Sequence, residues 1–326
     1  MKNEYCKDSK KYCIYAKRNE ANDFMKKHTL VILAAGMGSR YGGLKQLDKM
    51  SDEGDTIIDF SLYDAIEAGF KKVVFIIRES FKEEFVAIYN KKLAGKIEVA
   101  YVCQELDKIP EGYPVSPDRV KPWGTGHATL QVKGEVTGNF VVINGDDFYS
   151  AGAFQTIVKE LDHLNENSYD MCMVAYRLNN TISENGFVSR GECFVNENQE
   201  LTDVIERTHI EKIDGEIQRK EADGTFVPMS ANSKVSMNFW GFTPKYLEVL
   251  EEMFQDFLKE RSLELKSEFF IPTVVNEIIQ SKRGTVKVLT SDANRMGVTY
   301  AEDRPLVVNE IKRLKEEGIY PVNLWT

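Results

Sequence analysis

The chain alternates short, wholly apolar runs with amphipathic stretches of helical spacing. Leu30-Val31-Ile32-Leu33 and Val73-Val74-Phe75-Ile76-Ile77 contain no polar residue, residues 140–143 and 171–176 are equally apolar, and residues 97–103 break only at Glu98. Runs of that length and continuity predict strands buried on both faces, as in a parallel sheet. Between the first two, Ile58, Leu62, Ala65 and Ile66 recur at helical spacing and end at Gly69, where a left-handed C-cap is expected. Phe81, Phe85, Ile88 and Tyr89 mark a second helix, residues 127–132 a third, and Phe154, Ile157, Val158 and Leu161 a fourth. Repeated strand–helix–strand units predict an α/β fold, a doubly wound, mostly parallel sheet with its ligand at the C-terminal edge of the strands.

After about residue 180 the texture changes. Asn185-Gly186, Asp214-Gly215 and Asp223-Gly224 separate short strand-like runs and predict β-hairpins. Residues 210–232 are expected to form an inserted β-excursion over one face. Helical spacing returns over 254–265 and 271–279, and the chain closes with an amphipathic helix over about 305–317, followed by Gly318-Ile319-Tyr320-Pro321. No internal repeat or low-complexity segment interrupts this, so residues 25–326 read as one fold with an embellished second half. Residues 1–24 stand apart: they carry Lys2, Lys7, Lys10, Lys11, Lys17 and Arg18 with little periodicity. They read as a disordered extension or a misassigned start, with Met25 as the alternative start.

The first apolar strand breaks straight into Ala34-Ala35-Gly36-Met37-Gly38-Ser39-Arg40, followed by Lys45. Two glycines let backbone N–H groups approach an anion closely, and Arg40 and Lys45 add the charge that a bare backbone cradle lacks. The combination suits a polyphosphate. A dinucleotide fingerprint needs a third glycine where Tyr41 stands, and no register of the segment gives the spacing of a Walker loop. A second apolar strand delivers Asn144-Gly145-Asp146-Asp147, carboxylates that are hard oxygen ligands for Mg²⁺ on a triphosphate.

Charge narrows the ligand further. The net charge is −9 over 326 residues, which disfavours a general nucleic-acid or anionic-membrane binder. The longest apolar run, residues 30–37, is too short to cross a bilayer. Cys6, Cys13, Cys103, Cys172 and Cys193 are odd in number and widely spaced, and read as free thiols of a cytoplasmic protein rather than a disulfide framework or zinc site. A homo-oligomer is compatible with the sequence.

The glycine-rich turn resembles the signature loop of bacterial NTP-transferases that join a nucleoside triphosphate to a sugar phosphate, in particular glucose-1-phosphate uridylyl- and thymidylyltransferases. Further segments extend the resemblance over about residues 29–326: Lys121-Pro122-Trp123-Gly124-Thr125-Gly126-His127-Ala128, Tyr101-Val102-Cys103-Gln104, Asn185-Gly186-Phe187-Val188, Val204-Ile205-Glu206-Arg207 and Ser236-Met237-Asn238-Phe239-Trp240-Gly241. It implies a nucleotide-diphospho-sugar transferase fold, with residues 25–150 as the NTP-binding half and 151–326 as the acceptor half. It implies Mg²⁺ on Asp146, with Arg40 and Lys45 on the phosphates. Nucleotide contacts are expected from Ala34, Ala35, Gly36, Gly38, Ser39, Gln104, Gly124, Thr125 and Gly126. Gln104 would read a base edge, favouring a pyrimidine such as uracil, and Thr125 would cap the helix that follows. Acceptor contacts fall on Gly186, Glu206, Arg207 and Asn238; His127 takes a structural place. Family members have Glu-Lys-Pro where this chain has Glu206-Arg207-Thr208, and Arg207 offers the same charge through a bidentate fork.

The family's second metal aspartate is missing from its slot in Met296-Gly297-Val298-Thr299-Tyr300, so Asp292 is the expected second ligand, with Asp303, or no second ligand, as the alternatives. The expected chemistry is Mg²⁺-dependent, in-line attack of an acceptor phosphate on the α-phosphorus, with pyrophosphate leaving and no general base required. Two other readings stay open: a glycosyltransferase of related fold that consumes a finished sugar nucleotide, and a catalytically silent NTP sensor.

Overall fold

The computed structural model describes residues 28–36, 47–291, 296–297 and 300–325. In chain order the strands are β1 (Thr29–Leu33), β2 (Lys72–Ile77), β3 (Glu98–Cys103), β4 (Phe140–Asn144), β5 (Asp147–Phe148), β6 (Met171–Arg177), β7 (Val188–Val195), β8 (Leu201–Ile213), β9 (Glu216–Lys220), β10 (Phe226–Pro228), β11 (Lys234–Phe242), β12 (Val286–Ser291) and β13 (Met296–Gly297). The α-helices are α1 (Ile57–Ala68), α2 (Lys82–Leu93), α3 (Thr125–Leu130), α4 (Ala151–Leu161), α5 (Lys245–Arg261), α6 (Ile271–Gln280) and α7 (Arg304–Glu316). Among the described residues no helix is long and apolar enough to cross a membrane.

One 11-stranded sheet runs through both halves in the order β10-β9-β8-β7-β11-β4-β1-β2-β3, with β6 paired to β11 and to β12. From β4 to β3 the strands are parallel, as the apolar runs predict. Beyond β4 the pairing changes: β11 enters antiparallel beside it, and β7 to β10 continue antiparallel to the edge, so the sheet is mixed. The excursion at 210–232 does not lie over a face. It extends the sheet sideways, because Asp214 (φ 51°) and Gly215 (φ 87°) make a two-residue hairpin turn that hands β8 directly to β9.

The chain leaves β1 for β2 and β3 on one side, then returns to β4 on the other. That reversal opens a crevice beyond the carboxyl ends of β1 and β4. Leu30, Val31 and Ile32, with Val141, Val142 and Ile143, are fully buried, so the strands beneath the crevice are held by apolar packing on both faces. α1 starts with a Thr56–Asp59 capping box and ends at Gly69 (φ 104°), the predicted C-cap. α5 starts at Lys245, well before the 254 expected from spacing, and stops at Arg261; residues 262–270 then form a loop that returns to the crevice.

Candidate active site

The crevice is an open cleft of about 880 Å³. Its floor is made by the ends of β1, β3 and β4: Ala35 and Gly36 follow β1, Gln104 follows β3, Asn144 ends β4 and Asp146 follows it. Gly145 lets the Asp146 turn close onto β1, since its N–H donates to Leu33 O at 2.9 Å and a Cβ there would lie 3.1 Å from the same oxygen. Asp146 lines the cleft, whereas Asp147 is buried.

A directed chain of hydrogen bonds ends on Asp147. Trp240 Nε1 donates to Asn238 Oδ1 (3.3 Å), Asn238 Nδ2 to Asn144 Oδ1 (3.3 Å), and Asn144 Nδ2 to Asp147 Oδ2 (3.0 Å). Each amide uses its acceptor on one neighbour and a donor on the next, which fixes the orientation of both asparagines. Asn238 reaches this place because β11 shifts register between Ser236 and Trp240 and takes φ 58° at Asn238, a left-handed conformation that asparagine tolerates better than other side chains. Tyr149 ties the same strands: its hydroxyl donates to Met237 O (2.8 Å) and accepts from Asn144 N (2.9 Å).

The side wall is made by residues 105–124 and 262–270, which the structure pins together. Gly124 has φ 100° and ψ −179°, and a Cβ on it would lie 2.5 Å from Phe269 O; a Cβ on Gly126 would lie 2.6 Å from Phe269 Cδ1. Backbone bonds follow from that approach, Gly126 N to Phe269 O (2.9 Å) and Phe269 N to Trp123 O (2.7 Å). These glycines therefore serve close contact with the Phe269 segment. Buried Arg119 completes the clamp, stacked 3.5 Å over Trp123 and donating to Glu264 O, Ser267 O, Ser267 Oγ and Pro122 O. Thr125 is the first residue of α3 rather than its cap, which is Gly124. Its hydroxyl accepts instead from Ile271 N at 3.2 Å.

Gln104 is buried in this wall, with Nε2 donating to Gly124 O (3.0 Å) and lying 3.3 Å from His127 Nδ1. Burial pushes the His127 imidazole down to about 4, and Nε2 sits 2.7 Å from Lys108 O, so a neutral ring that donates from Nε2 and accepts at Nδ1 fits both contacts. His127 is a structural histidine. Lys121 and Lys266 also line the cleft, Lys121 ion-paired to Glu268. Sequence reading passed over Lys266 and Glu268, which lie in the short gap between two stretches read as helix and carry no motif.

The acceptor-side residues of the sequence reading separate. Asn238 lines the cleft. Gly186 packs on Tyr300, whose Cζ would be 2.7 Å from a Cβ there and whose hydroxyl donates to Phe187 O. Arg207 is committed to Glu192 at 2.9 Å. Glu206 lines an adjoining depression of about 330 Å³ with Phe270, Thr273 and Asn276, and burial pushes its carboxyl up to about 7, against the pull of Arg190. Asp303 is a helix anchor: Oδ1 accepts from Ser183 Oγ and Asn185 Nδ2, both at 2.8 Å, and Oδ2 from Tyr300 N at 2.9 Å. Ala34 is buried and bonded through its N–H to Ile76 O, beneath the cleft rather than in it. Gly38, Ser39, Arg40, Lys45 and Asp292 lie outside the described residues.

The nucleotidyl transferase family model matches residues 29–293. The chain belongs to the nucleotidyl transferase family. Its fold is similar to that of two solved structures. The inositol-1-phosphate CTP transferase from T. maritima is 14% identical with TM-score 0.59, the match covering 90% of this chain and 98% of that one. A UDP-glucose pyrophosphorylase complexed with UDP-glucose is 16% identical with TM-score 0.59, the match covering 88% and 99%. No curated protein matches the sequence. For this nucleotidyltransferase, the crevice at the β1/β4 reversal is thus the place where the fold class binds its ligand.

Proposed function

We propose that this nucleotidyltransferase joins a nucleoside triphosphate, a pyrimidine one favoured, to a sugar 1-phosphate or similar phosphorylated acceptor. An acceptor phosphate oxygen attacks the α-phosphorus, the bond from the α-phosphorus to its β-bridging oxygen breaks, and pyrophosphate leaves. The observation that carries the reading is Gln104 and Asp146 facing one cleft from the ends of β3 and β4. Gln104 spends its Nε2 on Gly124 and His127, which leaves Oε1 to accept from a base edge. The two solved structures are named for CTP and UDP substrates, which supports a pyrimidine.

The donor set fits Mg²⁺. Asp146 offers a carboxylate on the cleft, Asn144 and Asp147 are oxygen-bearing neighbours, and among the described residues no cluster of three or more His, Cys, Asp or Glu forms a cage. Mg²⁺ on a triphosphate takes one or two carboxylates and draws its remaining ligands from phosphate and water. Asp146 and Asp292 would hold it, and when bound it supplies charge neutralisation at the phosphates. Arg40 and Lys45 hold the β- and γ-phosphates, and Lys121 and Lys266 bring positive charge to the cleft wall formed by residues 105–124 and 262–270. Asn238 lines the same cleft and is the proposed acceptor contact, its amide held in place by Trp240 and Asn144. An acceptor phosphate is already a nucleophile, so catalysis is positioning and charge stabilisation.

The test is pyrophosphate release by the full chain with Mg²⁺, across UTP, dTTP, CTP, ATP and GTP against a panel of phosphorylated acceptors. Release that needs one triphosphate and one acceptor supports the reading. Nucleotide binding without release from any pair moves the weight to a silent sensor, and consumption of a sugar nucleotide to a glycosyltransferase.

A further inference from the structure

The C-terminal segment, residues 300–325, grips the catalytic edge from two sides. On one side it holds the strand that carries the aspartates. Phe148, next in sequence to Asp147, packs edge-on against Phe60 of α1 (6.2 Å between centroids) and Tyr320 (6.0 Å). Tyr320 in turn sits edge-on to Phe60 (5.1 Å) and Tyr63 (5.8 Å). Its hydroxyl donates to Asp64 Oδ2 at 2.8 Å, a carboxyl buried on α1 with no cation paired to it among the described residues. Val307, Ile311 and Leu314 of α7 and Leu324 of the tail close this small core.

On the other side the same segment holds residues 48–55, which follow the glycine-rich turn in the chain. Arg304 bonds Asp48 Oδ2 (3.0 Å) and Lys49 O (2.6 Å). Lys315 Nζ, nearly buried, meets Glu53 (2.6 Å), Asp55 (2.7 Å) and the tail's own Val322 O (2.8 Å). One short stretch therefore fixes the flanks of both motifs that the proposed function uses.

We propose that Tyr320 is a positioning residue for the proposed metal carboxylate: its ring, locked by the bond to Asp64, wedges Phe148 against α1 and so holds the Asp146–Asp147 turn at the cleft. This rests on the role proposed above for Asp146. β5 is two residues long and among the described residues pairs only with Met296–Gly297, so its own ladder fixes little. The Gly145–Leu33 and Asn144–Asp147 bonds hold the turn from the β4 side, and the ring contacts of Phe148 hold it from the α1 side. Groups that orient a metal ligand from behind act on metal affinity by about 10–100-fold without touching the metal.

The experiment is Mn²⁺ binding to the full chain without nucleotide, which would itself chelate the ion, followed by the electron paramagnetic resonance signal of free Mn²⁺. Tyr320→Leu, Tyr320→Phe, Asp146→Asn and Leu314→Ala are compared with the wild type, with thermal unfolding of each recorded. The expected result is Mn²⁺ affinity about tenfold weaker in Tyr320→Leu, unchanged in Leu314→Ala, and intermediate in Tyr320→Phe, which keeps the ring but loses the bond to Asp64. If Tyr320→Leu lowers the melting temperature yet binds Mn²⁺ like wild type while Asp146→Asn does not bind it, the positioning role is refuted and the role of Asp146 stands. If Asp146→Asn binds Mn²⁺ normally, the reading of Asp146 itself is refuted, and this inference with it. Should Tyr320→Leu not fold, Phe148→Leu, which trims the same edge contact, takes its place with the same expected outcomes.

Discussion

Replacing Gly124 by alanine asks what the glycines of the Gly124-Thr125-Gly126 segment are for. At φ 100° and ψ −179°, Gly124 occupies a region that is essentially closed to other residues, at a strain of about 1–3 kcal/mol. The new methyl would also meet Phe269 backbone atoms at 2.5 Å (O) and 2.8 Å (N), and backbone cannot swing aside as a flexible side chain can. Overpacking of that kind costs a further amount of about 1–3 kcal/mol, so Gly124→Ala is expected to destabilise by roughly 2–6 kcal/mol. Gly126 is an informative partner. It lies within α3 without a positive φ, and its new methyl meets mainly the Phe269 ring at 2.6 Å. There the overpacking is offset by about 1 kcal/mol of helix propensity gained over glycine, leaving roughly 0–2 kcal/mol. The assay is the urea midpoint of each variant beside calorimetric UTP binding. The account predicts a large loss of stability for Gly124→Ala, a small one for Gly126→Ala, and weakened UTP binding that follows the damage to the wall. If Gly124→Ala unfolds at the wild-type midpoint and only loses nucleotide affinity, the glycines serve approach of a base and the packing argument is wrong.

Asp146→Ala and Lys45→Ala are each expected to lower the rate of pyrophosphate release by about 100-fold or more, the scale of losing one oriented charge stabiliser; near-normal turnover in either would remove that residue from the mechanism. Arg119→Met keeps much of the stacking volume over Trp123 but gives up the bonds to Glu264, Ser267 and Pro122, and is expected to cost about 2–4 kcal/mol in urea unfolding, with a larger KM for the nucleotide than for the acceptor. Glu206 is raised by burial from an ordinary value near 4.5 to about 7. The folded protein thus keeps a proton that the unfolded chain has lost, so stability falls as pH rises through that window. Glu206→Gln removes the fall, a gain on the order of 2 kcal/mol over wild type at pH 8 after discounting for partial solvent access, and none at pH 4. Asp64, raised the same way, is common to both proteins and cancels. A stability difference independent of pH would refute the assignment.

What the sequence made legible was local. The buried parallel strands, the Gly69 cap and the placing of Gln104 and Asp146 at strand ends follow from periodicity and turn chemistry, which act over a few residues. What it hid was non-local. Nothing near residue 240 says that β11 enters antiparallel beside β4, since that pairing spans about a hundred positions. Gly186 was read as an acceptor contact, but its partner Tyr300 lies more than a hundred residues away. The charge of Arg207 is legible, yet its commitment to Glu192 depends on the register of β7 against β8, which bulges between Val188 and Arg190. The first part of the 262–270 loop, residues 262–265, was read as helix because Leu263 and Leu265 continue the apolar spacing. Both are exposed, and the helix ends at Arg261, where the chain turns back toward Arg119.

The central claim is that a bond forms between the α-phosphorus of a nucleoside triphosphate and an acceptor phosphate. Phosphorus-31 NMR of the full chain with Mg²⁺, a pyrimidine triphosphate and the phosphorylated acceptor that supports pyrophosphate release reads that bond directly. The account predicts free pyrophosphate together with a new pair of mutually coupled diphosphate resonances, in equal amounts, both absent with Asp146→Ala. Inorganic phosphate or nucleoside monophosphate without a coupled pair would mean hydrolysis, and would contradict it.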